Sequence, residues 1–236
     1  VNAEVPVIAI DGPSGAGKGT VARMLSSSLG WHSLDSGALY RATARACRRD
    51  GVDLEDEAGV AEVARCLDLR FERARDGELL VFRGDADVSD EIRTEESGRD
   101  ASAVSAMPPV REALLERQRR FRRPPGLVAD GRDMGTVVFP DAPLKFYLTA
   151  SPEERARRRH EQLKGMGQSV NLARLLRDIR ERDGRDGSRA VSPLLPADDA
   201  IVIDGTAMSI DTVFAMVMEE VGARSGTWAS IGSDPG

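Results

Sequence analysis

Aromatic residues make up only 4% of this 236-residue chain, which also holds just two cysteines and two histidines. Cys47 and Cys66 form no metal-ligand spacing and are too few for a disulfide scaffold, so both are expected to be buried small hydrophobes. His32 and His160 lack a partner carboxylate or ligand spacing and receive no role. No apolar run approaches the roughly 20 residues that cross a bilayer. The first residues, 1–6, have no basic stretch ahead of an apolar one. A cytoplasmic protein with no membrane partner is therefore expected. A basic excess is missing too. With a net charge of −6 and a pI near 5.2, no polyanion is held by bulk electrostatics. With few rings to stack on bases, no nucleic-acid partner is expected. The arginines Arg117, Arg119, Arg120, Arg122 and Arg123 end a helix before Pro124-Pro125 and read as a solvated face.

What is present is an ordinary globular composition, 41% hydrophobic and 31% charged, long enough for one large domain with sub-domains. Apolar runs bounded by turn residues, at 5–11, 31–35, 126–130, 144–149 and 200–204, predict buried strands. Helical periods at 18–29, 152–164 and 170–182 alternate with them, which predicts βαβ units in a parallel sheet and an α/β fold. Ser209 opens a closing helix through Val221. Gly184 and Gly187 predict a loose 183–189 segment. The stretch from Gly37 to Pro125 is too long for a simple crossover. It holds helical periods at 38–49 and 110–121, and two short paired strands, 69–73 and 78–82, around Arg75-Asp76-Gly77. Residues 225–236 lose the apolar pattern and read as a disordered tail.

The most specific motif is Gly12-Pro13-Ser14-Gly15-Ala16-Gly17-Lys18-Gly19-Thr20. It leaves the strand Val7-Ile8-Ala9-Ile10 and opens a helix, the context a phosphate-binding loop requires. Its glycines let backbone N–H groups approach phosphate oxygens, the helix N-terminus adds its dipole, and Lys18 reaches the β- and γ-phosphates of a nucleoside triphosphate. Gly19 stands where a metal-binding hydroxyl is usual, with Thr20 one place later. Mg²⁺ is then held largely by triphosphate and water, and Asp130, ending its strand, either orients one of those waters or caps a turn. Two further motifs end predicted strands, where ligands of open α/β sheets bind. They are Asp35-Ser36-Gly37-Ala38-Leu39-Tyr40-Arg41 and Asp130-Gly131-Arg132-Asp133-Met134-Gly135-Thr136. Taken alone, the first is a helix cap, and the second is equally a turn or a polar ligand-facing loop.

Together with Glu91-Ile92-Arg93-Thr94, with Val110 to Leu115, with the continuation Val137 to Pro143, and with Arg182, Asp186 and Arg189, these segments resemble the bacterial cytidylate kinases. The resemblance runs from about Val5 to Val221. It implies a P-loop three-layer sandwich with a five-stranded parallel sheet in one domain, 1–224. Residues 1–36, 123–150 and 190–224 form the core, 37–122 a monophosphate-binding insertion and 151–189 a helical lid. It implies transfer of the γ-phosphoryl of Mg²⁺·ATP to CMP or dCMP by a monomer. Arg41, Arg132 and Arg189 are expected at the acceptor phosphate, and Ser36, Ser102, Arg111 and Asp133 at the cytosine edge, with Gly37 and Tyr40 beside them. Arg182 and Asp186 are expected at the sugar. Lid arginines Arg155, Arg158, Arg159 and Arg182 are candidates to face ATP, and Lys18, Arg132, Arg189 and Arg158 form the expected catalytic set. Two other readings stand beside this one: a P-loop kinase for another small acceptor such as UMP or AMP, and a nucleotide-gated binding protein.

Overall fold

The computed structural model describes residues 5–73, 79–165, 167–189 and 191–228. In chain order the elements are β1 (Val7–Asp11), α1 (Lys18–Leu29), β2 (His32–Asp35), α2 (Ser36–Asp50), α3 (Glu57–Cys66), β3 (Leu69–Arg73), β4 (Leu79–Arg83) and β5 (Ala86–Asp87). Next come α4 (Ser89–Ile92), α5 (Glu95–Val104), α6 (Pro108–Arg119) and β6 (Leu127–Asp130). A single π-type turn (Met134–Val138) follows, then β7 (Leu144–Thr149), α7 (Pro152–Gly165), α8 (Leu172–Gly187), β8 (Ile201–Asp204) and α9 (Ile210–Trp228). The chain divides into two compact units, one made of Val1–Leu34 with Phe121–Gly236, the other of Asp35–Arg120.

The first unit carries the five-stranded sheet, in the order β2-β6-β1-β7-β8. β1 runs parallel to both β6 and β7, with Ile10 opposite Asp130 and Phe146, and β8 runs parallel to β7. All five expected strands are present, which gives the α/β class with a five-stranded parallel sheet. Every residue of β1 is buried, as a central parallel strand covered on both faces must be. Ile8 and Ile10 pack with Val128, Phe146 and Leu148 against Val21 and Leu25 of α1 and Val213, Val217 and Val221 of α9. Helices α7 and α8 have a small core of their own, built from Ala156, Leu163, Leu175 and Ile179.

Three expectations in this unit are corrected. α8 continues through Gly184 and Gly187 to its end, so the 183–189 segment is not loose. The glycines cost helix propensity, but the last turn is tied down by buried Asp186, which bonds Arg132 and Arg189, and by Asp183, which bonds Arg155. α9 does not stop at Val221 but runs to Trp228, and the rest of the expected tail, 229–236, lies outside the described residues. Arg122 belongs to no solvated face. Its Nε donates to the Val5 carbonyl at 2.6 Å and its Nη1 to Asp141 at 2.6 Å.

The second unit has a core of Ala38, Ala42, Ala46, Leu67, Val81, Val88 and Ile92. β3 and β4 form the expected hairpin, Leu69 opposite Arg83 and Arg73 opposite Leu79, with β5 added to its edge; the turn residues 75–77 lie outside the described set. Helices α3 and α5 follow side-chain caps, Asp56 accepting from the Gly59 N–H and Thr94 from the Ser97 N–H. Their buried faces are mostly alanine and serine, so no run of large apolar residues announces them. Cys47 is buried as expected, but Cys66 is exposed, because it ends α3 and turns its thiol to solvent, where it donates to Glu62 at 3.2 Å. Arg117 is likewise not solvated. It is half-buried and donates to the Leu67 carbonyl, and burial pulls its pKa below the usual guanidinium range.

Candidate active site

β1 delivers the chain into the loop at Gly12, whose φ is 142°. A side chain there would meet the Leu148 carbonyl oxygen of β7 at 1.9 Å, so only glycine lets the loop leave the sheet at this angle. Gly17, at φ 94°, turns the chain into α1 and leaves Lys18 as its first residue. Lys18 is 5% exposed, donates from Nζ to the Pro13 carbonyl at 2.9 Å, and lies 3.9 Å from Asp130 Oδ1. Its pKa is pulled down to about 7. Burial is the main cause. The fields of Arg132 and Arg182 add to it and outweigh the opposing pull of Asp130 and Asp11.

Gly19 explains how a carboxylate approaches this helix start. A Cβ at Gly19 would stand 3.2 Å from Asp130 Oδ2. Asp130 thus occupies the side of α1 where the usual metal-binding hydroxyl is missing, while Thr20 is exposed.

Two of the three arginines expected at the acceptor phosphate, Arg132 and Arg189, gather around one carboxylate. Asp186 of α8 is 1% exposed, accepting from Arg132 Nε at 3.0 Å through Oδ2 and from Arg189 Nη2 through Oδ1. Burial pushes its pKa up, but Arg132, Arg189 and Arg182 overcome that and hold it below the usual range. Within this unit the fold brings together Lys18, Asp130, Arg132, Arg182, Asp186 and Arg189, residues scattered over 171 positions of sequence.

The remaining lid arginines are committed elsewhere. Arg155, 2% exposed, donates to the Ala150 carbonyl at 2.8 Å, to Ser14 of the loop at 3.0 Å and to both oxygens of Asp183. It clamps the tip of the phosphate loop to α8. Arg158, expected in the catalytic set, is held by Glu154 and by the Gly205 and Met208 carbonyls just before α9. Arg159 bonds Gln162 on the exposed face of α7.

The segment 131–138 is less a polar loop than a buried π-type turn. Phe139 N–H bonds back to the Met134 carbonyl at 2.7 Å, and Asp133, Met134 and Gly135 are all buried. Its start is held by Asp11, which accepts from the Met134 and Gly135 N–H groups, each at 2.8 Å. Asp11 escaped the sequence analysis, as did Asp183 and Tyr147. The only signal for Asp11 was an acid closing an apolar strand one residue before the glycine loop. Tyr147, opposite Asp11 in β7, is half-buried, and burial raises its pKa.

In the second unit Asp35 caps α2 by accepting from the Ala38 N–H at 3.0 Å and pairs with Arg41 at 2.7 Å. Gly37 leaves room for that pair, since a side chain there would stand 3.0 Å from Arg41 Nη1. The buried Arg41 Nε has no hydrogen-bond acceptor among the described residues. Ser36 and Tyr40 are buried beside it. Arg111 lies over the Tyr40 ring, 5.9 Å from its centre, and donates to the Ser105 carbonyl at 3.2 Å; Ser105 in turn bonds the carbonyl of buried Ser102.

Comparison with known proteins gives the family. The chain is 60% identical over 222 residues to a cytidylate kinase of Stutzerimonas stutzeri, covering 93% of this chain and 96% of that protein. Its identity to the cytidylate kinase of Pseudomonas paraeruginosa is 59% over 220 residues, covering 92% and 96%. A cytidylate kinase of Pseudomonas fluorescens is 58% identical over 226 residues, covering 95% and 98%. The family model described as cytidylate kinase matches residues 8–223, and with relatives this close along nearly the whole chain, this protein belongs to the cytidylate kinase family.

Proposed function

We propose that the protein transfers the γ-phosphoryl group of ATP to CMP or dCMP, giving ADP and CDP or dCDP. One observation carries the reading: a buried loop lysine, Lys18, lies in the field of Arg132 and Arg182, which belong to the acceptor-side motifs. Cations this close raise one another's energy until a polyanion arrives among them. A triphosphate supplies that charge from one side and a monophosphate from the other.

The reaction needs no general base, because the attacking oxygen is already an anionic phosphate oxygen. Positioning and charge stabilisation then do most of the catalysis. Lys18 exchanges the Pro13 carbonyl for β- and γ-phosphate oxygens, beside the loop N–H groups. Arg132 and Arg189 turn from Asp186 toward the acceptor phosphate, their forks matching its oxygens. Asp133 accepts from the exocyclic amine of cytosine, which uracil lacks. Arg182 stays near Lys18, where charge builds up during transfer. Asp186, when released by the arginines, serves the ribose hydroxyls. In the second unit, Arg41, Ser36, Ser102 and Arg111 keep the acceptor roles given above, and the unpartnered Arg41 Nε fits a phosphate contact.

Mg²⁺ fits as a partner of the nucleotide rather than of the protein. Asp130, 13% exposed beside Gly19, is the carboxylate that would hold a water of the metal, which the triphosphate and water would otherwise carry. Its chemistry there is neutralisation of the phosphate charge. Arg158 reaches the nucleotide only by giving up the Gly205 and Met208 carbonyls, so its role is to hold the loop before α9.

ATP consumption measured against CMP, dCMP, UMP and AMP tests the reading. CMP and dCMP are expected to turn over fastest. A preference for UMP or AMP would replace the acceptor, and turnover independent of any acceptor would point to a nucleotide-gated binding protein.

A further inference from the structure

Asp11 is a buried carboxylate that the phosphoryl-transfer chemistry does not use. It is 3% exposed, ends β1, and directly precedes Gly12 of the phosphate loop. Oδ1 accepts the Met134 N–H and Oδ2 the Gly135 N–H, both at 2.8 Å and across more than 120 residues of sequence. Each oxygen accepts from a separate donor, an arrangement that favours the ionised carboxylate. Among the described residues no cation lies within ion-pair distance of it. Burial pushes its pKa up to about 7, so the fold holds the charge against a strong desolvation cost. An apolar residue there would leave the buried Met134 and Gly135 N–H groups without their acceptor, so the charge is kept for the turn that it holds.

The turn held by Asp11 carries Arg132 and Asp133 just ahead of the two bonded N–H groups. Lys145 packs against it as well. A Cβ on Gly135 would stand 3.0 Å from Lys145 Cδ and 3.4 Å from Asp11 Oδ2, so the turn fits against both side chains only with glycine there. The Lys145 head bonds the Pro140 carbonyl at 2.7 Å and Asp199 at 3.0 Å, securing the far end of the same segment.

We propose that Asp11 is a positioning residue for the acceptor: by anchoring the Met134 and Gly135 N–H groups it fixes where Arg132 and Asp133 stand, and thereby sets affinity for, and choice of, the pyrimidine monophosphate. This rests on the assignment of Asp133 to the acceptor base. Asp11→Asn keeps the shape but opposes an amide NH₂ to one of the two N–H donors, which must tilt away.

The test is steady-state kinetics of Asp11→Asn, Asp133→Asn and Gly135→Ala, varying CMP, UMP and ATP in turn, with circular dichroism as a check on folding. Asp11→Asn is expected to raise KM for CMP about tenfold, lower the CMP-over-UMP preference, and change KM for ATP less than about threefold. Gly135→Ala, whose methyl group would crowd Lys145 Cδ at the same turn, should reproduce the pattern and keeps the test usable if Asp11→Asn fails to fold. A folded Asp11→Asn or Gly135→Ala enzyme in which both KM values rise in parallel, or neither moves, overturns the inference. If Asp133→Asn shifts KM for CMP while Asp11→Asn does not, the acceptor reading survives and the role of Asp11 falls. If Asp133→Asn leaves CMP and UMP discrimination unchanged, the assignment of Asp133 fails and takes the inference with it.

Discussion

Lys18 and Asp186 are both charged, both almost fully buried, and both surrounded by the same arginines, yet the fold treats them in opposite ways. Asp186 sits between Arg132 and Arg189 with both oxygens bonded, and its pKa is held down, so its charge is favoured. Burial above all, with the like charges of Arg132 and Arg182 adding to it, pulls the pKa of Lys18 down from 10.5 to about 7. For Asp186, the stability gained is present above the ordinary carboxylate pKa of 3.8 and is lost as pH falls below it. For Lys18, the lowered pKa gives a contribution present above 10.5 and lost as pH falls through about 7. The protein thus stabilises the charge that organises the arginines and leaves in tension the charge that meets the nucleotide. Binding energy from the triphosphate is then spent where transfer occurs.

The comparison can be broken hardest at Lys18. Lys18→Met is expected to lower kcat by about a thousandfold or more, with an unchanged circular dichroism spectrum and no loss of melting temperature, because it removes a charge that burial disfavours. A variant that unfolds, or that keeps near-normal turnover, would contradict the contrast. Asp186→Asn should do the reverse on stability, leaving Arg132 and Arg189 without their anion and costing about 3–5 kcal/mol in denaturant titrations.

Protonation sharpens the same contrast. If phosphate restores the Lys18 charge, ATP binding takes up protons. Calorimetry in buffers of different ionisation enthalpy should show an uptake that is largest above pH 7, fades below it, and vanishes in Lys18→Arg, whose guanidinium stays charged. The smallest effect is expected two places along α7 from a buried arginine. Arg157 is exposed and bonds only Glu154 and Glu161 among the described residues. Arg157→Ala should leave turnover and melting temperature unchanged within error, whereas Arg155→Ala should disturb both by releasing Ser14.

The loop from Gly12 to Thr20 could be read from sequence because its chemistry is local. Closely spaced glycines, a strand before and a helix after are enough to define it. The five strands were equally plain, since buried parallel strands appear as short apolar runs between turn residues. Helices α3 and α5 were not, because their buried faces are mostly alanine and serine, residues that mark a core weakly, so that little beyond the caps Asp56 and Thr94 announces them. The 183–189 segment misled for a related reason. Gly184 and Gly187 predict looseness, but Asp183 and Asp186 fasten that turn to Arg155, Arg132 and Arg189, and none of these pairings follows from the order of residues.

By itself the sequence determined the phosphate loop, the sheet it leaves, the family, and the residue types available to hold two phosphates. Only the tertiary structure decided which charges are satisfied and which are held in tension. Burial and field depend on through-space neighbours: Asp11 reaches Met134 across the sheet, Arg155 reaches Ser14 from another helix, and Lys18 meets Arg132 and Arg182 only once the strands have been placed side by side.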